Sequence, residues 1–280
     1  MKARHFIKGI LPPILLSLLR RISAPPKPDS IRFMGKFDLW EEAESASTGY
    51  AAPEILKRTR AAMAKVKNDE AIFERDSVLL ATPEYPFPLI VGLLRAALLA
   101  DGRLSVLDFG GALGSTYFQC RKFLSAVKDM RWSVVEQPDH VACGQAEFSN
   151  EELRFYPTAE ECLTSQRPNL LLLSSVLQYL PAPYDMLRQL LTYRIPHVVI
   201  DRTAFLVGNR ERLSVQSVPK SIYQATYPAW FFNEPKFVAF CNEMNYKLVA
   251  DFDGADHVSL SQPQEESYFK GFIFDLEERS

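Results

Sequence analysis

The chain has 280 residues, 47% of them hydrophobic and 24% charged, with a net charge of -2. That length suits one large domain, or one domain with an appendage, and the composition is globular rather than disordered. The charge balance excludes nucleic-acid binding by phosphate neutralisation, which needs a clustered basic excess. Cys120, Cys143, Cys162 and Cys241 show no metal-ligand spacing and read as small buried hydrophobes of a reducing compartment. The four histidines are equally scattered, so no metal site is expected.

In chain order, the first feature is MKARHFIKGILPPILLSLLRRISAPPKP. Its apolar centre, residues 10–19, is broken by Pro12 and Pro13 and falls short of the roughly 20 residues that span a bilayer. Arg20 and Arg21 follow directly and no small-x-small site is evident, which argues against a secretory signal. Two readings stay open: an interfacial helix on an anionic membrane, flanked by Lys2, Arg4, Lys8, Arg20 and Arg21, or a helix packed in the core. The first reading gives a cytoplasmic protein with peripheral inner-membrane contact through residues 1–24. APPKPDS then reads as a stiff linker, which sets residues 1–30 apart.

Residues 31–100 are expected to be a helical N-terminal region. The pattern over 38–68 is helical, broken at Gly49, with Pro53 in the first turn of the second helix. PFPLIVGLLRAALLADG has a Pro-rich entry and a Gly exit and reads as a buried helix. Ahead of it, ERDS (Glu74, Arg75, Asp76) is either a capping ion pair or a carboxylate-binding group built on Arg75.

Residues 101–280 alternate strand and helix, which implies a parallel sheet with crossover helices. LSVLDF, RWSVVE, LRFY, NLLLLS and HVVID are the strand candidates, and the unbroken apolar run of NLLLLS suits burial on both faces. Two strands close the chain, in YKLVADFDG and YFKGFIFDLE. The stretch from about 203 to 234 is aromatic, polar and weakly periodic, and is expected to be a lid-like insertion.

VLDFGGALGSTY, residues 106–117, places Asp108, Gly110, Gly111 and Gly114 between a strand and a helix. Glycine permits positive φ and close approach of a ligand to the backbone. No Gly-Lys-Ser/Thr follows, which excludes a P-loop, and Phe109 stands where a dinucleotide motif has its first glycine. A cofactor loop and a plain structural turn both remain. Glu136, 28 positions after Asp108, ends the second strand, where an acid can accept both hydroxyls of a ribose.

VLDFGGALGS, VVEQ and SSVLQYLP, with ERDS upstream and IDRTAF downstream, resemble class I S-adenosylmethionine-dependent methyltransferases. More narrowly, nearly the whole chain, from LPPILL to TYPAWFF, resembles a methyltransferase family of bacterial surface-polysaccharide gene clusters. The resemblance implies an α/β, Rossmann-like fold: a mostly parallel seven-stranded sheet with an antiparallel last strand in a closing hairpin. It implies S-adenosylmethionine as cofactor, held by Asp108, Gly110, Gly111 and Gly114, by Glu136 and Gln137, by Ser174 and Ser175, and by Arg75. Ala112 replaces the middle glycine of the family pattern, and no acid follows the third strand, leaving Thr158 and Ala159 near the adenine.

For an oxygen acceptor a base is needed, and Asp201 is the candidate, with a structural pairing to Arg202 or Arg75 as its alternative role. Gln178, Tyr179 and Arg202, with Tyr223 and Tyr227, are assigned to the acceptor, since flat aromatics stack on sugar faces. Trp230 and Phe231 read as core. The expected activity is O-methylation of a sugar or lipid-linked glycan. The alternatives are a non-catalytic binding or scaffolding protein of polysaccharide assembly and, more weakly, a nicotinamide-dependent oxidoreductase.

Overall fold

The computed structural model describes residues 31–49, 53–71, 73–75, 78–80, 85–222, 224–254, 259–261 and 263–277. The N-terminal segment therefore lies outside the described residues, and the fold is that of the unit 31–280. No described helix is long and apolar enough to cross a membrane.

The chain enters through β1 (Arg32–Phe37), followed by helices α1 (Trp40–Ser45) and α2 (Pro53–Lys67). A small hairpin, β2 (Phe73–Arg75) and β3 (Val78–Leu80), precedes helix α3 (Phe87–Leu99). The region 31–100 is thus not wholly helical. β1 escapes a periodicity argument because only Phe33 of its six residues is buried.

From there strand and helix alternate as expected: β4 (Arg103–Phe109), α4 (Ser115–Cys120), β5 (Asp129–Val135), α5 (Pro138–Glu147), β6 (Leu153–Tyr156) and α6 (Ala159–Ser165). β7 (Leu170–Ser174), a 3₁₀ turn (Leu177–Tyr179), α7 (Pro183–Thr192) and β8 (His197–Leu206) complete the alternation. β9 (Arg212–Val218), β10 (Ala225–Phe231), α8 (Glu234–Glu243), β11 (Tyr246–Asp253), β12 (Ser259–Ser261) and β13 (Glu265–Leu276) finish the chain.

Strands β6-β5-β4-β7-β8 are parallel, and β13 lies antiparallel between β8 and β11. This is the α/β Rossmann-like sheet with the closing hairpin that the resemblance implies. Leu170 to Leu173 are fully buried, as their unbroken apolar run requires. Alternate residues of β4 serve the two faces. Val106 packs with Leu89 and Leu93 of α3 and Val141 of α5, whereas Leu107 packs with Cys162 of α6, Leu187 of α7 and Phe237 of α8.

The sheet does not stop at seven strands. β8 and β13 run on past the Rossmann half, and β12, β1, β9 and β10 extend it to eleven strands among the described residues. After β10 the chain returns to β8: Leu206 N–H donates to Phe232 O and Phe232 N–H to Ala204 O, both at 2.9 Å. The strands β8-β13-β12-β1-β9-β10 therefore close into a ring around Phe33, Ala204, Leu206, Ala229, Phe231, Leu260 and Phe269. The expected lid over 203–234 is this ring's wall, built from strands. Its periodicity is blurred because β9 buries both faces, one with Leu213 and Val215, the other with Arg212, Ser214 and Gln216.

At the junction of the two halves β8 bulges. Its register against β13 shifts between Lys270 and Phe272, so that Asp201 and Arg202 together oppose Gly271. Arg202 takes a left-handed φ of 49° there.

Candidate functional site

Parallel sheets bind ligands beyond the carboxyl ends of their strands, where neighbouring connections diverge. Here that point is the end of β4, which pairs β5 on one side and β7 on the other. The glycine loop after β4 has φ of 75° at Gly110, 50° at Ala112 and 85° at Gly114. Ala112 thus holds the left-handed conformation that the missing glycine would supply, at a cost of about 1–2 kcal/mol. Gly111 is required for another reason: a Cβ there would lie 2.4 Å from Asp108 Oδ2. At the loop's far end Ser115 Oγ donates to the buried Glu74 of β2, at 2.8 Å, which ties the hairpin to the loop.

A cleft of about 310 Å³ opens beside this loop. Of the residues expected in a site, it brings together Gly110, Glu136, Gln137, Ser175 and Tyr179. Phe109, Val135, Pro138, Pro157, Val176 and Leu180 give it apolar walls. Glu136 is held at the cleft by two backbone donors, Ala112 N–H to Oε1 at 3.2 Å and Gln137 N–H to Oε2 at 2.7 Å. Each carboxylate oxygen keeps capacity for a further donor.

The other expected residues stand behind this surface. Asp108 is buried rather than lining the cleft, and Trp132 Nε1–H donates to its Oδ2 at 2.9 Å. Burial pushes its carboxyl up to about 7; the Trp132 hydrogen bond opposes the rise, Glu136 adds to it and Arg202 reduces it. Gly111 closes over that carboxyl, and Gly114 packs against Leu153.

Ser174 Oγ donates to Asp201 Oδ2 at 3.2 Å, and Arg202 Nε lies 3.8 Å from the same oxygen. Asp201 and Arg202 are the two residues of the β8 bulge, and Asp201 pairs in register with Ser174 at the end of β7. Gln178 is buried, its amide donating to Ser175 Oγ at 3.3 Å and to Arg202 O at 3.1 Å. Thr158 is spent as the N-cap of α6, accepting from Glu161 N–H at 3.1 Å, and Ala159 is buried, so Pro157 lines the cleft instead. The Arg75 side chain, Asp76 and Tyr223 lie outside the described residues.

Tyr227 does not line the cleft either; it stands one step behind Tyr179, ring centroids 5.3 Å apart and edge to face at 85°. Between them is a residue the sequence reading missed. Tyr179 Oη donates to Gln216 Oε1 at 2.8 Å, and Gln216 Nε2 donates to Tyr227 Oη at 3.1 Å. The available signal was the i, i+2, i+4 polar series Arg212, Ser214 and Gln216 inside an apolar stretch. Trp132, the only described donor to Asp108, was missed as well.

No protein-family model matches the chain, and no curated protein matches it by sequence. Among solved structures it is similar to the N-terminal domain of EvdMO1 determined with SAH and D-fucose, at 10% identity and a TM-score of 0.47, covering 78% of this chain and 97% of that one. It is also similar to a S-adenosylmethionine-dependent methyltransferase from Clostridium acetobutylicum, at 10% identity, TM-score 0.44, and 68% and 91% coverage. Human N-acetylserotonin methyltransferase in complex with SAM gives 13% identity, TM-score 0.45, and 82% and 61% coverage. Likeness at these levels transfers no activity.

Proposed function

We propose that this chain binds S-adenosylmethionine in the cleft and is a methyltransferase acting on oxygen of a sugar or lipid-linked glycan. The observation that carries the reading is the meeting of the left-handed loop at Gly110 with the Glu136 carboxylate beside the β4–β7 divergence. Glu136 suits a ribose, because backbone donors fix both oxygens and leave acceptor capacity for two hydroxyls. Gly110, whose missing side chain makes room for Val176, lines the cleft on the side offered to the amino-acid end, and Pro138, Pro157 and Leu180 offer apolar surface for the adenine.

When bound, S-adenosylmethionine supplies an activated methyl group. The chain's own task is to hold an acceptor oxygen in line, from which most of the acceleration can come. Tyr179, fixed by Gln216, supplies a flat face for a sugar, and Ser175 a hydroxyl to orient it. Asp201 is the proposed base, hydrogen-bonded to Ser174 beside the cleft residue Ser175. The resemblance adds bacterial surface-polysaccharide synthesis as the setting, in the cytoplasm, with residues 1–24 in peripheral contact with the inner membrane.

A second reading, a non-catalytic binding or scaffolding protein with the same cleft, is favoured by the burial of Asp201, which is 6% exposed and does not line the cleft. Calorimetry with S-adenosylmethionine, S-adenosylhomocysteine and NAD tests the cofactor, and turnover separates the catalytic reading from the non-catalytic one. Both sulfur ligands are expected to bind and NAD is not; a folded sample that binds neither sulfur ligand contradicts the proposal. Asp201→Asn is expected to keep ligand affinity and lose turnover, and full turnover in that variant removes Asp201 as the base.

A further inference from the structure

Asp108 sits where a charge is hardest to keep. It is 1% exposed, it accepts one hydrogen bond, from Trp132, and its Oδ1 has no partner among the described residues. An ionised carboxylate with an unsatisfied oxygen in such a place costs several kcal/mol in desolvation, roughly. Gly111 seals it: the space a side chain would need there is filled by the carboxylate itself. Charged and titratable groups from three elements face it. Glu136, at the end of β5, opposes its ionisation, and Arg202, in the β8 bulge, favours it. From α4 comes the buried Cys120 thiol, whose own ionisation is pushed far up by burial and then by Asp201 and Asp108. The arrangement leaves the Asp108 carboxyl titrating at about 7 rather than in the usual carboxylate range.

We infer that Asp108 keeps its proton in a substantial fraction of the ligand-free protein at neutral pH and ionises when a cationic ligand occupies the cleft, so that binding releases a proton and the site discriminates by ligand charge. Glu136 is the electrostatic link, since it lines the cleft and also acts on Asp108. Positive charge beside Glu136 and Gly110 offsets the carboxylate that disfavours Asp108 ionisation, and it acts through an interior of low effective dielectric. The step balances simply. The carboxyl O–H bond breaks, the proton passes to solvent, and the carboxylate remaining is compensated by the ligand's charge. Asp108 is on this account a positioning and charge-selecting residue beneath the loop. The ligand-dependent half rests on the S-adenosylmethionine reading; the ligand-free half does not.

Two measurements test it. Trp132 donates directly to Asp108, so its indole N–H resonance reports the carboxyl's charge in the protein alone. It can be assigned by removing the other two indoles with Trp40→Phe and Trp230→Phe. The resonance is expected to titrate with a midpoint near 7 in the wild type and to stay flat in Asp108→Asn, which keeps an acceptor for the indole. A midpoint below about 5 in the wild type overturns the neutral-acid assignment. Calorimetry at pH 7 in phosphate and in Tris then counts protons. S-adenosylmethionine is expected to release about half a proton per ligand, and S-adenosylhomocysteine, which lacks the sulfonium, less. Tight binding with a buffer-independent enthalpy overturns the coupling while leaving the cofactor reading standing. Absence of binding overturns the cofactor reading and the coupling together, and the indole titration still decides the state of Asp108.

Discussion

At the scale of single residues, two neighbours in the glycine loop have opposite expected responses. Ala112 pays for a left-handed backbone, so Ala112→Gly is expected to raise stability by up to about 1 kcal/mol in urea unfolding. Gly111→Ala drives a methyl group into Asp108 and is expected to cost about 2–4 kcal/mol. Equal effects of the two changes would show that the loop is not shaped as described. Asp108 gives a pH signature of its own. Its carboxyl is raised by burial to about 7 in the fold, against an ordinary 3.8, so between those values the folded state binds more protons than the unfolded one. Stability at this site is therefore lost progressively as pH rises from about 4 to 7 and is not lost further above that. Asp108→Asn is expected to be more stable than the wild type at pH 8, with the gap narrowing toward pH 4. A constant gap across that range contradicts the burial argument. Gly110 and Glu136 could be placed at the cleft from sequence because strand ends and glycines mark themselves there, whereas the burial of Asp108 behind the loop could not. Trp132 and Gln216 were not legible, because their importance comes from partners, Asp108 and Tyr179, that only strand pairing brings near.

At the scale of elements, the ring of strands rests on Arg212. Its guanidinium, 2% exposed as a residue, donates to Gly35 O, Ser261 O, Pro263 O and the Glu265 carboxylate, joining β1, β12 and β13 from a position on β9. Arg212→Ala removes all of those hydrogen bonds together with a buried side chain and is expected to cost about 2–4 kcal/mol in denaturant unfolding; a cost below about 1 kcal/mol would show the ring does not depend on it. A second clamp holds α3 to the sheet: Arg95 reaches both oxygens of Asp275 on β13, at 2.7 and 2.6 Å, and His197 Nδ1 on β8 lies 2.7 Å from Oδ1. Burial alone pushes the Asp275 carboxyl up, but the hydrogen bonds from Arg95 and His197 outweigh it and hold the group below its ordinary value. That contribution is present above the unfolded carboxylate range and is lost as pH falls below about 4. Asp275→Asn is expected to flatten the acid limb of the stability curve. The sequence reading misjudged 203–234 for a physical reason: alternation marks a strand only when one face is wet, and β9 is buried on both.

At the scale of the molecule, the alternating half was legible and the ring was not. Crossover helices force a parallel order that a linear pattern can disclose, whereas the ring joins β1 to β9 and β12, segments separated by well over a hundred residues. The two halves meet at the β8 bulge, and Gln216 of the ring braces Tyr179, which lines the cleft that the Rossmann half builds. On the proposed function this cleft holds the ribose of S-adenosylmethionine on Glu136. That role is tested most directly by the affinity of Glu136→Ala for S-adenosylhomocysteine, measured on protein shown to be folded. Losing two hydrogen bonds to a charged acceptor is expected to weaken binding about 100-fold. Wild-type affinity in that variant would contradict the account.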